Sequence, residues 1–309
     1  MSDLNYVIGA VFILMVVFLC RRYIDKHENV YTREEDIQDA VKIHTSPMIW
    51  IHVPYEWNAR RWKTFWDRGS YDLNAPYLLL CIESIVRQSK GATVAIIDDR
   101  SFKKILPEWD IQVDKLSGPV QTHVRMIGMM RLLYEYGGMI IPPSTICMSN
   151  LFEIHNNCLR EYSVYVGEYV NERRGIDKLF KLDIRTIGCK PKCELIRHMV
   201  SYLEHLNAYD YTSESEFLDR MGIFCEQMYN HDMVAVLSSR TIGTCSEEDN
   251  IVTVHELMSD IPITFAKELT MVYIPHRDIL SMPKYMWYAS LSREEVMLAN
   301  NNISRLLKY

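Results

Sequence analysis

The segment that decides the fold of this chain is Leu132-Leu133-Tyr134-Glu135-Tyr136-Gly137-Gly138-Met139-Ile140-Ile141-Pro142-Pro143-Ser144-Thr145. Its first part is typical of the end of an amphipathic helix, the two glycines indicate a turn, and Met139-Ile140-Ile141 predicts a short buried strand. Open α/β sheets bind their ligands outside the carboxyl ends of such strands. This strand is followed by Pro142-Pro143-Ser144-Thr145, a stretch without a carboxylate side chain.

Two earlier segments predict further strands of the same sheet. Met48–Pro54 is a short β-rich run that ends at a proline, and Thr93–Ile97 is a continuous apolar run followed by two aspartates. Between them, residues 76–89 carry apolar side chains at three- and four-residue steps, which predicts a helix. A strand, a helix and a strand in this order are typical of a parallel sheet covered by helices.

The second half of the chain predicts more α/β structure. We expect strands at Ser163–Gly167 and Val234–Leu237, a helix at Cys193–Asn207, and a strand or a loop at Val252–Met258. A C-terminal helix that reaches Leu307 is expected to have Ser292 as its cap and Glu295 at the capping-box position.

The aspartates Asp98 and Asp99 follow a predicted strand and therefore lie at its carboxyl end. Carboxylates in this position can accept hydrogen bonds from the ribose or the base of a nucleotide. The alternative is that Asp98-Asp99-Arg100-Ser101 only begins a turn or a helix.

Residues 48–152 resemble family 32 glycosyltransferases and the related capsular-polysaccharide-synthesis proteins. The resemblance lies in the order of the parts: an Ile-Trp strand, Asn74-Ala75-Pro76, Cys81-Ile82-Glu83-Ser84, an apolar strand that ends in acids, and the helix before Gly137-Gly138. It implies a GT-A-like fold, with a mixed α/β sheet flanked by helices, and a nucleotide sugar as the donor ligand.

The chain departs from this family at the positions that carry the family's chemistry. Pro142 and Ser144 stand where relatives have Asp-x-Asp or a similar acidic pair, and Met126 and Met129 stand where the preceding helix has an Asp and an Arg. The acidic pair binds a divalent cation, because hard cations prefer anionic oxygen ligands. The sequence therefore predicts that the metal site is lost, and no metal cofactor is expected.

Several polar residues remain near these positions as candidates for a donor site. Arg125 can bind a diphosphate in bidentate fashion, although the simpler interpretation places both Arg125 and Arg131 on a solvated helix face. The donor-site candidates are Asp98, Asp99, Arg125 and Ser144. A single histidine is more often structural than catalytic. The weaker candidates are His123, His231, Asp232 and His276.

The N-terminus predicts a single membrane anchor. Leu4–Cys20 contains Asn5 as its only strongly polar residue and is followed by Arg21-Arg22. Its length is at the short end of the roughly 17–25 residues that span a bilayer. A cleaved secretory signal is the alternative, but Asp3 precedes the run and no small-x-small cleavage site follows it. The expected organisation is an anchor at 1–26, a connecting helix at 27–46 and an α/β domain at 47–309.

The charge and the cysteine content limit which partners and which cellular compartment are expected. The cationic residues Arg21, Arg22 and Lys26 all follow the predicted span, which by the positive-inside tendency places the bulk of the chain in the cytosol. A net charge of −6 argues against nucleic acid as a partner. Eight cysteines spread over 309 residues form no compact disulfide framework, so we expect reduced thiols.

Two hypotheses follow for the function. The first is a divergent membrane glycosyltransferase that moves a sugar from a nucleotide donor to a glycan or a lipid-linked acceptor. The second is a catalytically inactive pseudo-glycosyltransferase that acts as a structural or assembly membrane protein, for example of a virion or an envelope. The departures at positions 126, 129 and 142 favour loss of the metal-dependent reaction with retention of the fold.

Overall fold

The computed structural model describes residues 46–54, 75–171, 179–209 and 214–308. These residues belong to one compact unit. The predicted membrane anchor and the predicted connecting helix up to residue 45 lie outside the described residues. Within the described ranges, no helix combines the length and the apolar character that crossing a bilayer requires.

The described strands form one large sheet and one small sheet. They are β1 (Met48–His52), β2 (Thr93–Ile97), β3 (Gly138–Ile140), β4 (Thr145–Cys147), β5 (Val164–Val170), β6 (Phe180–Cys189), β7 (Ala235–Leu237) and β8 (Met271–Tyr273). The large sheet has the order β2-β1-β3-β6-β5-β7, and β4 pairs with β8 in the small sheet. The chain therefore has a mixed α/β fold with a sheet that is mainly parallel.

The described helices pack into two apolar cores. They are α1 (Pro76–Arg87), α2 (Ser101–Ile105), α3 (Gly118–Tyr136), α4 (Leu151–Cys158), α5 (Glu194–Ala208), α6 (Glu214–Asn230), α7 (Val254–Leu257), α8 (His276–Ser281), α9 (Arg293–Leu298) and α10 (Asn302–Leu307). The larger core joins the central sheet to α2, α3, α5 and α6. The second core joins α1, the small sheet and the helices from α7 to α10.

The directions of the strands place one crevice at the edge of the large sheet. β1 pairs in parallel with both β2 and β3, and β5 pairs in parallel with β7, whereas β6 runs antiparallel to β3 and β5. From β1 the chain passes to β2 on one side and then to β3 on the other side. The strand order therefore reverses beside β1, and α/β sheets bind ligands at the carboxyl ends of the strands at such a point.

The Gly137-Gly138 turn fixes the junction between α3 and β3. Both glycines have positive φ, +66° and +93°. A Cβ atom at Gly138 would lie 2.0 Å from the carbonyl oxygen of Met48 on β1, so only glycine allows β3 to come this close to β1. The indole Nε1 of Trp50 donates a 2.9 Å hydrogen bond to the carbonyl oxygen of Gly137. This bond ties β1 to the end of α3.

The structure confirms the strands and helices predicted around the crevice, which are β1, α1, β2, α3 and β3. The predicted strand or loop at Val252–Met258 is wrong over α7. There the Thr253 side chain and Glu256 form a capping box, which begins a short helix. The C-terminal helix does begin after Ser292 with Glu295 in its capping box. It is not continuous to Leu307, because Asn301 caps a second helix, α10.

Candidate functional site

Asp99 brings an arginine and a histidine together at the carboxyl end of β2. Arg125 donates from Nε to Oδ1 of Asp99 at 2.8 Å and from Nη2 to Oδ2 at 2.7 Å. The Nε2 atom of His52 lies 3.0 Å from Oδ1 of the same carboxylate. We call these three residues the Asp99 cluster. Its side chains are largely buried, with 4% of Asp99 and 12% of each partner exposed.

Three separate elements position the Asp99 cluster. His52 is the last residue of β1 and pairs in parallel register with Ile97, the last residue of β2. Asp99 follows two residues later, and Arg125 reaches it from the second turn of α3. The His52 ring also stacks on Phe102 of α2, with ring centroids 5.5 Å apart. The cluster therefore lies at the crevice that the sheet topology predicts.

The charge of Asp99 is stabilised by its partners. Burial alone would raise the pKa of Asp99, but the hydrogen bonds and charges of His52 and Arg125 outweigh this effect and lower the pKa to about 2. Asp99 is therefore ionised at neutral pH. A carboxylate held in this way orients the guanidinium that it binds.

Asp98, although adjacent, has a different role. Its Oδ1 atom accepts hydrogen bonds from the backbone N–H of Arg100 at 2.8 Å and of Ser101 at 3.0 Å. The Ser101 hydroxyl also donates to it. Asp98 thus caps the turn that leads into α2, as the alternative interpretation of the sequence predicts, whereas Asp99 does not.

The two arginines of α3 also differ. The interpretation that places both on a solvated helix face is wrong for Arg125, whose side chain is mostly buried against Asp99. Arg131 fits that interpretation better, because it keeps 38% of its side chain exposed and pairs with Glu204 of α5. Arg131 therefore serves as an internal comparison for Arg125.

The segment that follows β3 is fixed between the two sheets. Ser144 is 3% exposed, and its carbonyl oxygen accepts a 2.8 Å hydrogen bond from the backbone N–H of Ile274. The next residue, Thr145, pairs with Tyr273 in the small sheet. Its Oγ1 atom is buried and has no hydrogen-bond partner among the described residues.

The side chains that follow β3 do not provide suitable ligands for a divalent cation. Pro142 has no side-chain oxygen, and the single hydroxyl of Ser144 is buried. Across the described part of the chain, no three His, Cys, Asp or Glu side chains are grouped as metal ligands. The hydrogen bonds of Asp98 and Asp99 are made to protein groups. The loss of the family's metal site stays a prediction.

The weaker histidine candidates do not join the Asp99 cluster. His123 is buried on α3 and stacks on Phe217 of α6 at 3.8 Å between ring centroids. His276 is buried in the second core, where its Nδ1 contacts the hydroxyl of Tyr77. These contacts are typical of packed, structural histidines.

His231 and Asp232 lie at the opposite edge of the large sheet. Both are exposed between α6 and β7, at the amino end of a strand that runs in the same direction as β1. Asp232 accepts a 2.8 Å hydrogen bond from the hydroxyl of Tyr162. The structure therefore separates them from the crevice.

Sequence reasoning missed two polar residues of the large sheet, His52 at the end of β1 and Arg185 on β6. His52 could have been found, because the last residue of a strand lies beside the acids that end its parallel neighbour. Arg185 depends on an irregularity of the ladder between β5 and β6. Val166 pairs with Ile187 but Gly167 pairs with Asp183, so the three residues 184–186 bulge out of the ladder. Bulges redirect side chains and often occur beside functional sites.

The described cysteines carry free thiols, namely Cys81, Cys147, Cys158, Cys189, Cys193, Cys225 and Cys245. Burial raises the pKa of Cys158 to about 11, and it also raises the pKa of Cys189. Cys189 and Cys193 are therefore not joined to each other by a disulfide.

Comparisons with known proteins give matches only to solved structures, and those that follow have low sequence identity. No family model matches the sequence, and no curated protein matches it. Among solved structures, the galactosyltransferase LgtC in complex with donor and acceptor sugar analogues is 12% identical over 84% of this chain and 95% of that chain, with a TM-score of 0.38. The apo form of the glycosyltransferase GlyE of Streptococcus pneumoniae TIGR4 is 10% identical, with a TM-score of 0.44. That match covers 86% of this chain and 63% of GlyE.

Proposed function

We propose that this chain is a glycosyltransferase-like protein that binds a nucleoside diphosphate sugar at the carboxyl ends of β1, β2 and β3. The observation that carries the proposal is the Asp99 cluster, which holds Arg125 and His52 at the point where the strand order reverses. The resemblance of residues 48–152 to family 32 glycosyltransferases supports the same ligand class.

Arg125 is the group we assign to the donor diphosphate. A guanidinium carries five N–H donors in a rigid fork, and two of those of Arg125 donate to Asp99. Arginine is the side chain that binds phosphate through bidentate, charge-assisted hydrogen bonds. Asp99 acts as a positioning residue, since its oxygens hold Arg125 and His52.

Sugar transfer at this site would have to stabilise the leaving diphosphate with protein groups. Positioned cations such as arginine can supply this stabilisation. The end of β3 carries Pro142 and Ser144 in place of acids. We therefore assign this role to Arg125, a cation that Asp99 holds in the crevice. The acceptor class we propose is a glycan or a lipid-linked sugar.

A second candidate function is a catalytically inactive pseudo-glycosyltransferase that serves in a membrane assembly. The buried Ser144 and the proline at 142 favour it, because a protein that only needs the fold can fill the former ligand site with small or rigid residues. In both candidates we propose that Leu4–Cys20 anchors the chain and that its bulk faces the cytosol.

The experiment that tests the proposal is a calorimetric titration of the full-length chain with UDP, GDP and their sugars, with and without Mn²⁺. We expect saturable binding of at least one nucleotide that does not require Mn²⁺. The variant Arg125→Gln should weaken it at least tenfold, and Arg131→Gln on the same helix is the matched control that should leave it unchanged.

Two results would overturn the nucleotide site. One is the lack of any nucleotide binding by a chain whose circular dichroism shows that it is folded. The other is an equal loss of affinity in Arg125→Gln and Arg131→Gln. If binding is found, release of nucleoside diphosphate in the presence of glycan acceptors separates the transferase from the pseudoenzyme.

A further inference from the structure

The Asp99 cluster contains one side chain of a type whose charge ordinarily changes near neutral pH, and that side chain is His52. Asp99 is ionised in this range, because its partners lower its pKa to about 2. An arginine such as Arg125 stays protonated in proteins, whereas histidine is the residue type that titrates between pH 5 and pH 8. The net charge of the cluster therefore depends on whether the His52 ring carries a second proton.

The hydrogen bond to Asp99 determines which ring nitrogen of His52 can take up that proton. An ionised carboxylate only accepts hydrogen bonds, so Nε2, which lies 3.0 Å from Oδ1 of Asp99, carries the ring hydrogen. In the neutral ring the other nitrogen, Nδ1, then has a lone pair. Nδ1 makes no hydrogen bond to any residue in the described part of the chain, and 12% of the side chain is exposed. A proton can therefore bind to Nδ1 while the bond to Asp99 stays intact.

The imidazole of His52 is held in place beside the proposed nucleotide site. His52 ends β1, which lies between β2 and β3 in the large sheet. Its ring stacks on Phe102 with an angle of 16° between the ring planes. A carboxylate that is hydrogen-bonded to one ring nitrogen also orients the ring and stabilises the imidazolium. The position of His52 thus suits a proton that is bound together with an anion.

Other charged or titratable residues belong to the elements that pack around His52. The segment from β2 to α2 and helix α3 carry them, whereas residues 141–144 after β3 carry none. These residues are Asp98, Asp99, Arg100, Lys103, Lys104, His123 and Arg125. Asp98 caps the turn before α2, Arg100 lies 3.5 Å from Asp114, and His123 stacks on a ring of α6. Among the described residues, Asp99 is the titratable group that hydrogen-bonds to His52.

The charge balance of the cluster favours a protonated His52 when a diphosphate is bound. With a neutral ring, the positive charge of Arg125 and the negative charge of Asp99 cancel. Each phosphate of a nucleotide sugar carries a negative charge, and charges attract strongly in a partly buried site. A proton on Nδ1 gives the cluster a net positive charge, and it also provides a charge-assisted donor for a phosphate oxygen.

We propose that the crevice binds the diphosphate together with a proton from solvent, which His52 takes up at Nδ1. This inference rests on the proposed nucleotide site and adds a regulation of that site by pH. Coupling between two ligands is reciprocal, so the proton strengthens diphosphate binding by the same factor by which the diphosphate strengthens proton binding. The affinity for the nucleotide sugar therefore falls as the pH rises.

The test is a calorimetric titration of the full-length chain with UDP-glucose and with GDP-mannose. Both phosphates of these ligands are esterified, so they exchange no proton near neutral pH, whereas a monoester phosphate titrates at about 6. Titrations at pH 7 in two buffers of different ionisation enthalpy measure the number of protons taken up on binding. Repeating them at pH 6 and pH 8 gives the pH dependence of the affinity.

Two histidine variants assign the proton to its residue. His52→Gln keeps an amide donor for Asp99 but cannot titrate. His231→Gln is the matched control, because His231 is exposed and lies at the opposite edge of the large sheet. Circular dichroism shows whether each variant is folded, and the buffer comparison on the native chain is decisive by itself if His52→Gln does not fold.

We expect a net uptake of protons by the native chain and an affinity that is at least about fivefold higher at pH 6 than at pH 8. Both effects should be lost in His52→Gln and kept in His231→Gln. The proposal is overturned if a nucleotide sugar binds with the same affinity at both pH values and without proton uptake, or if His52→Gln takes up protons as the native chain does. A lack of nucleotide binding at every pH would instead overturn the nucleotide site, and this inference with it.

Discussion

Arg125 donates to both carboxylate oxygens of Asp99, and through this pair the third helix of the fold is joined to the end of its second strand. The two residues are 26 positions apart in the sequence. The pair is mostly buried, so replacement of Asp99 takes away a charge that stabilises Arg125 in a low-dielectric environment. The stability of the crevice and the anion binding that we propose for it both depend on this contact.

Replacement of Asp99 by asparagine should destabilise the fold much more than the same change at Asp98. Asp99→Asn removes the charge that balances Arg125, and we expect a cost somewhat below the roughly 3–5 kcal/mol of a broken buried pair, because Arg125 and His52 keep some solvent contact. Asp98→Asn should cost only a few tenths of a kcal/mol, since asparagine caps turns about as well as aspartate. Urea denaturation of the two variants measures the difference, and equal costs would contradict these roles.

The contribution of Asp99 to stability should depend on pH in the acid range. Its folded pKa is about 2, below the ordinary value of 3.8, so the unfolded chain binds a proton more readily than the folded one. The stabilisation is complete above pH 3.8 and is lost as the pH falls through about 2. The gap in unfolding free energy between the native chain and Asp99→Asn should therefore shrink over this window. A gap that stays constant from neutral pH to pH 2 would argue against the pair.

A methyl group at Gly138 should prevent the central strands from pairing. In Gly138→Ala the new Cβ would lie 2.0 Å from the carbonyl oxygen of Met48, and we expect a loss of more than about 4 kcal/mol or no folded protein. Gly118→Ala is the matched control, because Gly118 also has positive φ but no atom within 4 Å of the added Cβ. It should cost about 1–2 kcal/mol from backbone strain alone. Thermal unfolding of both variants decides the point.

An acid introduced after β3 should not restore a metal site. Ser144 is 3% exposed, so Ser144→Asp places a carboxylate in a buried position and should cost more than about 3 kcal/mol. Ser144→Ala, which adds no charge, should fall within about 1 kcal/mol of the native chain. Denaturation with and without Mn²⁺ tests this, and stabilisation of Ser144→Asp by Mn²⁺ would show that the segment can still bind a cation.

Local patterns were sufficient to predict the structure around the crevice. The β-rich run before Pro54, the helical spacing over 76–89 and the glycine pair at 137 and 138 each act within a few residues, so the sequence carries their signal. Asp99 and Arg125 could be named as candidates for the same reason, because the end of a strand and the helix before the glycine pair can be recognised from local sequence patterns. Their contact with each other was not predicted, since it depends on how α3 packs over β2.

Other parts of the fold depend on contacts that the sequence pattern does not show. Strand β6 was missed although Phe180–Arg185 alternates apolar and charged residues, which is a strand pattern that the prediction overlooked. These polar residues are stabilised by partners on other elements, such as Asp219 for Lys181 and Tyr273 for Arg185. The short helix α7 was missed because its capping box lies in a run of β-branched residues, where local capping outweighs strand propensity.

The hydrogen bond from Trp50 to Gly137 has a consequence for the order in which the chain folds during its synthesis. The two residues are 87 positions apart, and β1 lies between β2 and β3 in the sheet. While the ribosome has released only the first two strands, one edge of β1 has no partner, and open strand edges favour aggregation. The centre of the sheet can therefore close only after Gly138–Ile140 has emerged, because β3 is the strand that covers this edge of β1.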